Sequence, residues 1–134
     1  MRRRGLLRTT EHVIDLIKDK DKDYPLYYSE KFIEYALKHK EFNLAGKLID
    51  AIAEMGKSHP LIDKLKGAQL WGLGRHEEAI ALSIKSADRW LAPYIYLQAS
   101  DFLAMDGQPQ KADYYFDIAL SLAKKKNELR EQTS

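Results

Sequence analysis

The stretch KGAQLWGLGRHEEAIALSIKSADRWLAP, residues 66–93, decides the fold. At a period of 3.6, Leu70, Trp71 and Leu73 lie on or near one apolar stripe, and Ala79, Ile80, Leu82, Ile84 and Ala87 form a second. Between the stripes Gly74 interrupts and residues 75–78 are polar. The pattern predicts a helix, a tight turn and a second helix. A glycine at the turn adopts the left-handed conformation that most residues resist, which ends the first helix and reverses the chain. The spacing then recurs. Gly74 and Ala79 are followed by Gly107 and Ala112, each pair 33 residues apart, and Ala45 stands 34 residues before Ala79, just after a turn at Lys40, Glu41 and Phe42. One helix pair per 33–34 residues predicts a solenoid.

Outward from that stretch the same grammar continues. Phe32, Ile33, Tyr35, Ala36 and Leu37 give an apolar helix starting between Pro25 and Ser29 and ending at Lys38, His39 and Lys40. Leu44, Ala45, Leu48, Ile49, Ile52 and Ala53 recur at three- and four-residue steps in its partner, which Gly56 stops. Pro93 opens a third pair, Gly107, Gln108 and Pro109 turn it, and a return helix is expected over residues 111–125. This last helix is apolar round most of its circumference, unlike a solvent-facing cap. At the other end, Thr9 or Thr10 caps a short helix over residues 9–18 with Val13, Ile14, Leu16 and Ile17, and residues 19–25 read as a linker. The expected organisation is therefore a basic tail over residues 1–8, one helical domain over 9–125 and a polar tail over 126–134.

The composition suits this. The chain has 134 residues, 45% of them hydrophobic and 31% charged, as in an ordinary globular domain. Net charge is only +2, although Arg2, Arg3, Arg4 and Arg8 crowd one end and Lys124, Lys125 and Lys126 lie near the other. Basic termini attract acidic surfaces non-specifically; the plainer reading is solvated, frayed ends. The Tyr24, Tyr27 and Tyr28 cluster beside Lys20, Lys22 and Lys31 has the makings of a base-stacking patch, but Asp19, Asp21 and Asp23 cancel much of its field, which argues against nucleic acid. No run approaches 18 apolar residues, so no membrane insertion is expected. The absence of cysteine excludes disulfide and thiol chemistry and leans towards a reducing, cytoplasmic setting.

These residues carry a resemblance to tetratricopeptide-repeat (TPR) proteins, in three units near residues 26–57, 60–92 and 93–125. In the central unit Gly67 and Leu70 match the small-then-large pair, Gly74 the turn and Ala79 the small opening residue of the second helix. In the third, Tyr96, Gly107, Ala112, Phe116 and Ala119 complete the pattern; in the first, Ala45 and the apolar register survive. Asp63, Ser83 and Ser86 depart from it, standing where a tryptophan, a large apolar and a small apolar residue belong. The resemblance implies an all-α, right-handed superhelical solenoid of antiparallel helix pairs, here three hairpins plus one N-terminal helix. It implies a non-catalytic scaffold, an adaptor or a secretion or assembly chaperone, binding a partner segment in a concave groove lined by the first helix of each pair.

On that analogy the groove residues are Tyr27, Glu30, Glu34 and Lys38, then Lys64, Ala68 and Trp71, then Tyr94, Leu97, Asp101 and Met105. Each set recurs at helical steps and so shares a face. Core packing between hairpins is the competing reading for Trp71 and Met105, and for Trp90 at a helix end. Glu34, Ala68 and Asp101 occupy sites where a TPR that clamps a carboxylate needs asparagines, so an apolar or mixed protein or peptide segment is the expected partner. The alternative is self-association, a homodimer or a docked domain, through Tyr114, Tyr115, Leu122 and Ala123 on the last helix.

Catalysis, cofactors and metals find no support. His12, His39, His59 and His76 include no pair three or four residues apart, and Ile80 stands where a zinc helix opened by His76 would need its second histidine. Gly72, Leu73 and Gly74 lack the strand and the Gly-Lys-Ser/Thr of a phosphate loop. Adjacent Glu77 and Glu78 do not face each other as an acid–base pair would.

Overall fold

The computed structural model describes residues 26–54, 56 and 58–133. The expected helix over residues 9–18, the four arginines before it and the Tyr27 side chain lie outside them. Among the described residues there are six α-helices and no strand: α1 Leu26–Lys38, α2 Phe42–Glu54, α3 Pro60–Gly72, α4 His76–Trp90, α5 Pro93–Met105 and α6 Pro109–Thr133. The all-α expectation holds, with the helices at the expected places along the chain. Backbone packing divides the chain between Gly74 and Arg75, inside the central pair. Each unit therefore holds three helices.

In the first unit α1 and α2 pair, and α3 packs against both. The reversal after α1 occurs at Lys40, whose φ is 59°. Its N–H donates to the Leu37 carbonyl at 3.0 Å and the Glu41 N–H to the Ala36 carbonyl at 2.9 Å. Gly107 closes the last pair in the same way at φ 77°, with the Gly107 N–H on the Ala104 carbonyl at 3.1 Å and the Gln108 N–H on the Leu103 carbonyl at 2.9 Å. The repeat geometry is strong enough to impose a left-handed turn on a lysine. Ile33, Leu48 and Ile52 fill the core, and Ile62 and Leu65 of α3 close it. Each such side chain removed from water contributes about 1.5–3 kcal/mol. Helices approach closely where glycine permits. A methyl on Gly72 would run into the Phe42 ring, and a Cβ on Gly46 would stand 2.9 Å from Gln69 Nε2. Gln69 itself is buried and donates to the Phe42 carbonyl at 3.2 Å.

In the second unit α5 packs against α4 and against α6. Its core is built of smaller and more polar groups. Ala87, Ala92, Ile95, Tyr96 and Ala119 are buried together, with Trp90, Tyr94, Tyr115, Ile118 and Leu122 packed around them. Ser83, one departure from the repeat pattern, is buried and its hydroxyl donates to Gln98 Oε1 at 3.2 Å. Ser100 donates to the Ala112 carbonyl at 2.7 Å, tying α5 to α6. The last helix does not stop near Lys125 but runs on to Thr133. Residues 126–133 are mostly strong helix formers, and Asn127 Nδ2 donates to Glu131 Oε1 at 3.4 Å, one turn on.

Candidate functional site

The sequence-derived site divides into a part in each unit. In the first, Glu30, Glu34 and Lys38 recur along α1 and Lys64, Ala68 and Trp71 along α3. Packing of α3 against α1 brings the two sets together. The link is electrostatic. Partial burial raises the Glu30 carboxyl above its ordinary value, a hydrogen bond and repulsion from Glu34 push it further, and Lys31 and Lys64 pull it part of the way back. Glu34 is half in water and faces the Lys31 ammonium at 3.5 Å, an exposed pair worth little to stability. Lys38 is exposed, and Lys64, Ala68 and Trp71 are half-buried. This is a mixed-charge rim with an indole and an alanine beside it, suited to a surface that is neither purely apolar nor purely acidic.

In the second unit Tyr94, Leu97, Asp101 and Met105 descend one face of α5 at steps of three and four residues. Tyr94 is half-buried against the core cluster. Leu97 is 42% exposed and Met105 61% exposed, with Asp101 exposed between them. Core packing therefore does not account for Met105. The opposite side of α5 does the packing, through buried Ile95, Ala99, Phe102 and Leu103. Helix α5 thus sends its structural side chains one way and leaves a flexible thioether and a leucine in water the other way.

Other features fall into place around this. Trp90 is half-buried against the second-unit core, and the Arg89 guanidinium lies 4.7 Å above its ring. Tyr96, the early aromatic of the third repeat, donates to Asp88 Oδ1 at 2.6 Å and stacks 6.2 Å from Tyr115. Burial first, then the Asp88 bond and its negative charge, push the Tyr96 phenol up to about 12. Burial raises Tyr115 as well, with smaller help from Asp88 and Tyr114. On the last helix Tyr115 and Leu122 turn towards the core, whereas Tyr114 and Ala123 are exposed. Phe116 and Leu120, which the sequence does not assign to that surface, are exposed there too. Their signal lay in the register: about the helix axis Phe116 falls roughly 50° and Leu120 roughly 90° from the buried Ala112 and Ala119 line.

Two of the histidines have structural duties. His59 Nδ1 accepts the Leu61 N–H at 3.1 Å and caps α3, and His39 packs its ring 4.3 Å from Tyr35. Among the described residues no group of three or more His, Asp or Glu is placed to hold a metal ion. No helix among them is long and apolar enough to cross a membrane. A cleft of about 560 Å³ between α4 and α6 is floored by Leu103 and walled by Ile80, Ile84, Tyr114 and Tyr115, with Glu77, Asp106 and Lys111 on its rim.

No family model matches the chain, and no curated protein does. Among solved structures it is similar to MamA of MSR-1 (C2), with a TM-score of 0.63 at 20% identity over 91% of this chain and 70% of MamA. MamA is a TPR-containing protein. At that identity the likeness is one of fold: the helix order seen here is TPR-like.

Proposed function

We propose that this protein is a non-catalytic interaction scaffold, a small adaptor or assembly chaperone, which holds an apolar or mixed segment of a partner protein against the first helices of its repeats. The observation that carries the proposal is the outer face of α5, where Leu97 and Met105 stand in water on either side of Asp101. Large apolar side chains at regular helical steps, left out of a core that is filled from the other side of the same helix, are what a docking face requires. Methionine suits it further, because its unbranched thioether adapts to a partner's shape. The half-buried Trp71 and the charged rim of Glu30, Glu34 and Lys64 supply the equivalent face in the first unit. The TPR-like fold agrees with a protein partner.

Affinity capture of the tagged protein from its native cells, compared with the Leu97→Glu/Met105→Glu variant, tests this. Both side chains are exposed, so the variant keeps its helical content. The expected result is a stoichiometric partner with the wild type and at least about tenfold less of it with the variant, each substitution removing roughly 1 kcal/mol or more. Equal capture by the folded variant would overturn the assignment of this face.

A further inference from the structure

We infer that Asp101 sets the specificity of the outer face of α5, and that the partner segment docking there carries a lysine or arginine between two apolar side chains. The inference rests on the reading of that face as a docking surface and names the chemistry of what it takes.

The exposed residues of α5 are Leu97, Asp101, Ala104 and Met105. At about 1.5 Å per residue, Leu97 and Met105 stand about 12 Å apart along the axis and about 80° apart around it. Asp101 lies midway on both counts, about 6 Å along the axis and about 40° around from each. Ala104 adds only a methyl beside them. A partner that covers both large apolar side chains therefore covers the carboxylate between them. Taking a carboxylate out of water without a counter-charge or donors is costly, and two half-exposed apolar side chains buried in exchange do not offset that loss of hydration.

Nothing on α5 supplies the counter-charge. The helix holds no lysine or arginine from Pro93 to Met105, and the residue after it is Asp106. Among the described residues Asp101 has neither an ion pair nor a hydrogen bond. The basic residues that flank α5 in sequence are directed elsewhere. The Arg89 guanidinium lies 4.7 Å over the Trp90 ring, and Lys111 stands on the rim of the cleft between α4 and α6. That cleft is floored by Leu103, about 160° round α5 from Asp101. The counter-charge is left to the partner. An arginine meets a carboxylate through two parallel N–H donors, and a lysine meets it as a point charge. Either one sits between apolar neighbours, because its hydrocarbon stem packs against Leu97 and Met105 while its head reaches Asp101. A purely apolar segment strands the carboxylate, and an acidic one is repelled by it.

Selection from a phage-displayed library of random dodecapeptides tests this, with the whole protein immobilised as wild type, as Asp101→Lys and as Leu97→Glu/Met105→Glu. Helical circular dichroism checks that each is folded. The wild type is expected to enrich peptides in which lysine or arginine is flanked by apolar residues. Asp101→Lys should enrich aspartate or glutamate at that place instead, and Leu97→Glu/Met105→Glu should retain none of the wild-type peptides. For the strongest wild-type peptide, exchanging its basic residue for glutamate should weaken binding about tenfold or more, and Asp101→Lys should recover most of that loss. Peptides that need Leu97 and Met105 but carry no basic residue, or that bind wild type and Asp101→Lys alike, overturn this inference and leave the docking face standing. No enrichment, or peptides indifferent to Leu97→Glu/Met105→Glu, overturns the docking face and this inference with it.

Discussion

The two units each hold three helices, packed differently and around different interiors: in the first α3 packs on both α1 and α2, in the second α5 alone packs on both of its neighbours. In the first, aliphatic residues meet one another: Ile33, Leu48, Ile52, Ile62 and Leu65. In the second, equivalent space is held by alanines, serines and tyrosines, and hydrogen bonds from Ser83, Tyr96 and Ser100 replace part of the hydrocarbon contact. Ile52, Ser86 and Ala119 are equivalent and all buried. The contrast teaches that the repeat fixes which positions are inside and leaves the chemistry there open. Small side chains suit close helix approach, whereas large ones supply burial. Among the described residues the second unit has fewer large aliphatics inside and leaves Leu97, Met105, Phe116 and Leu120 outside.

Four substitutions break or sharpen that comparison. The largest effect is expected from Ile52→Ala, which empties a fully buried site in the aliphatic unit and should cost about 2–5 kcal/mol in denaturant unfolding. The alanine already at Ala119 shows that the second unit packs around the smaller side chain. Next comes Gly72→Ala, where the new methyl meets the Phe42 ring; a loss of about 1–3 kcal/mol is expected, and a neutral result would show that the ring moves aside freely. Ser100→Ala, which removes the bond to the Ala112 carbonyl, should cost about 1 kcal/mol and leave the first unit's amide exchange unchanged. Lys40→Gly acts in the opposite direction. It relieves a left-handed lysine at φ 59° and should stabilise by roughly 0.5–1 kcal/mol, measured as a higher unfolding midpoint.

A titration separates the two interiors in another way. The Tyr96 phenol is held up to about 12, against an ordinary value of 10.0, first by burial and then by Asp88. Its protonated form is the one favoured by folding. The stabilisation is therefore fully present below pH 10 and lost as pH rises through about 12. Tyr115 shifts in the same direction. Alkaline unfolding followed by tyrosinate absorbance should begin in the second unit, and Tyr96→Phe should flatten the dependence above pH 10. A slope unchanged by that variant would assign it to other groups.

Much of this architecture was legible in the sequence, for identifiable reasons. Gly74 and Gly107 marked two turns because left-handed backbone favours glycine, and the alanines at 45, 79 and 112 marked close helix contacts. The turn at Lys40 was visible only through the period, because a lysine carries no left-handed signature of its own. Ser83 read as a departure because its partner Gln98 lies on the following helix, and a hydrogen bond between helices leaves no periodic trace. The extent of α6 beyond Lys125 has no apolar periodicity to mark it, although the polar residues there are good helix formers. For the candidate site, helical steps placed Leu97, Asp101 and Met105 on one face, and all three are exposed there. Phe116 was matched to the repeat pattern but not to the exposed surface, because a helix apolar round most of its circumference does not say which side its neighbours cover.

The measurement that bears most directly on the interaction face is photo-crosslinking in the native cells, with a photoreactive residue placed in turn at Leu97, at Met105 and at Lys85. Lys85 is exposed on α4, a second helix. A scaffold that holds its partner on the first helices gives one and the same foreign protein adduct at Leu97 and Met105 and none at Lys85. An adduct of equal yield at Lys85, or no foreign adduct at Leu97 and Met105, would contradict it.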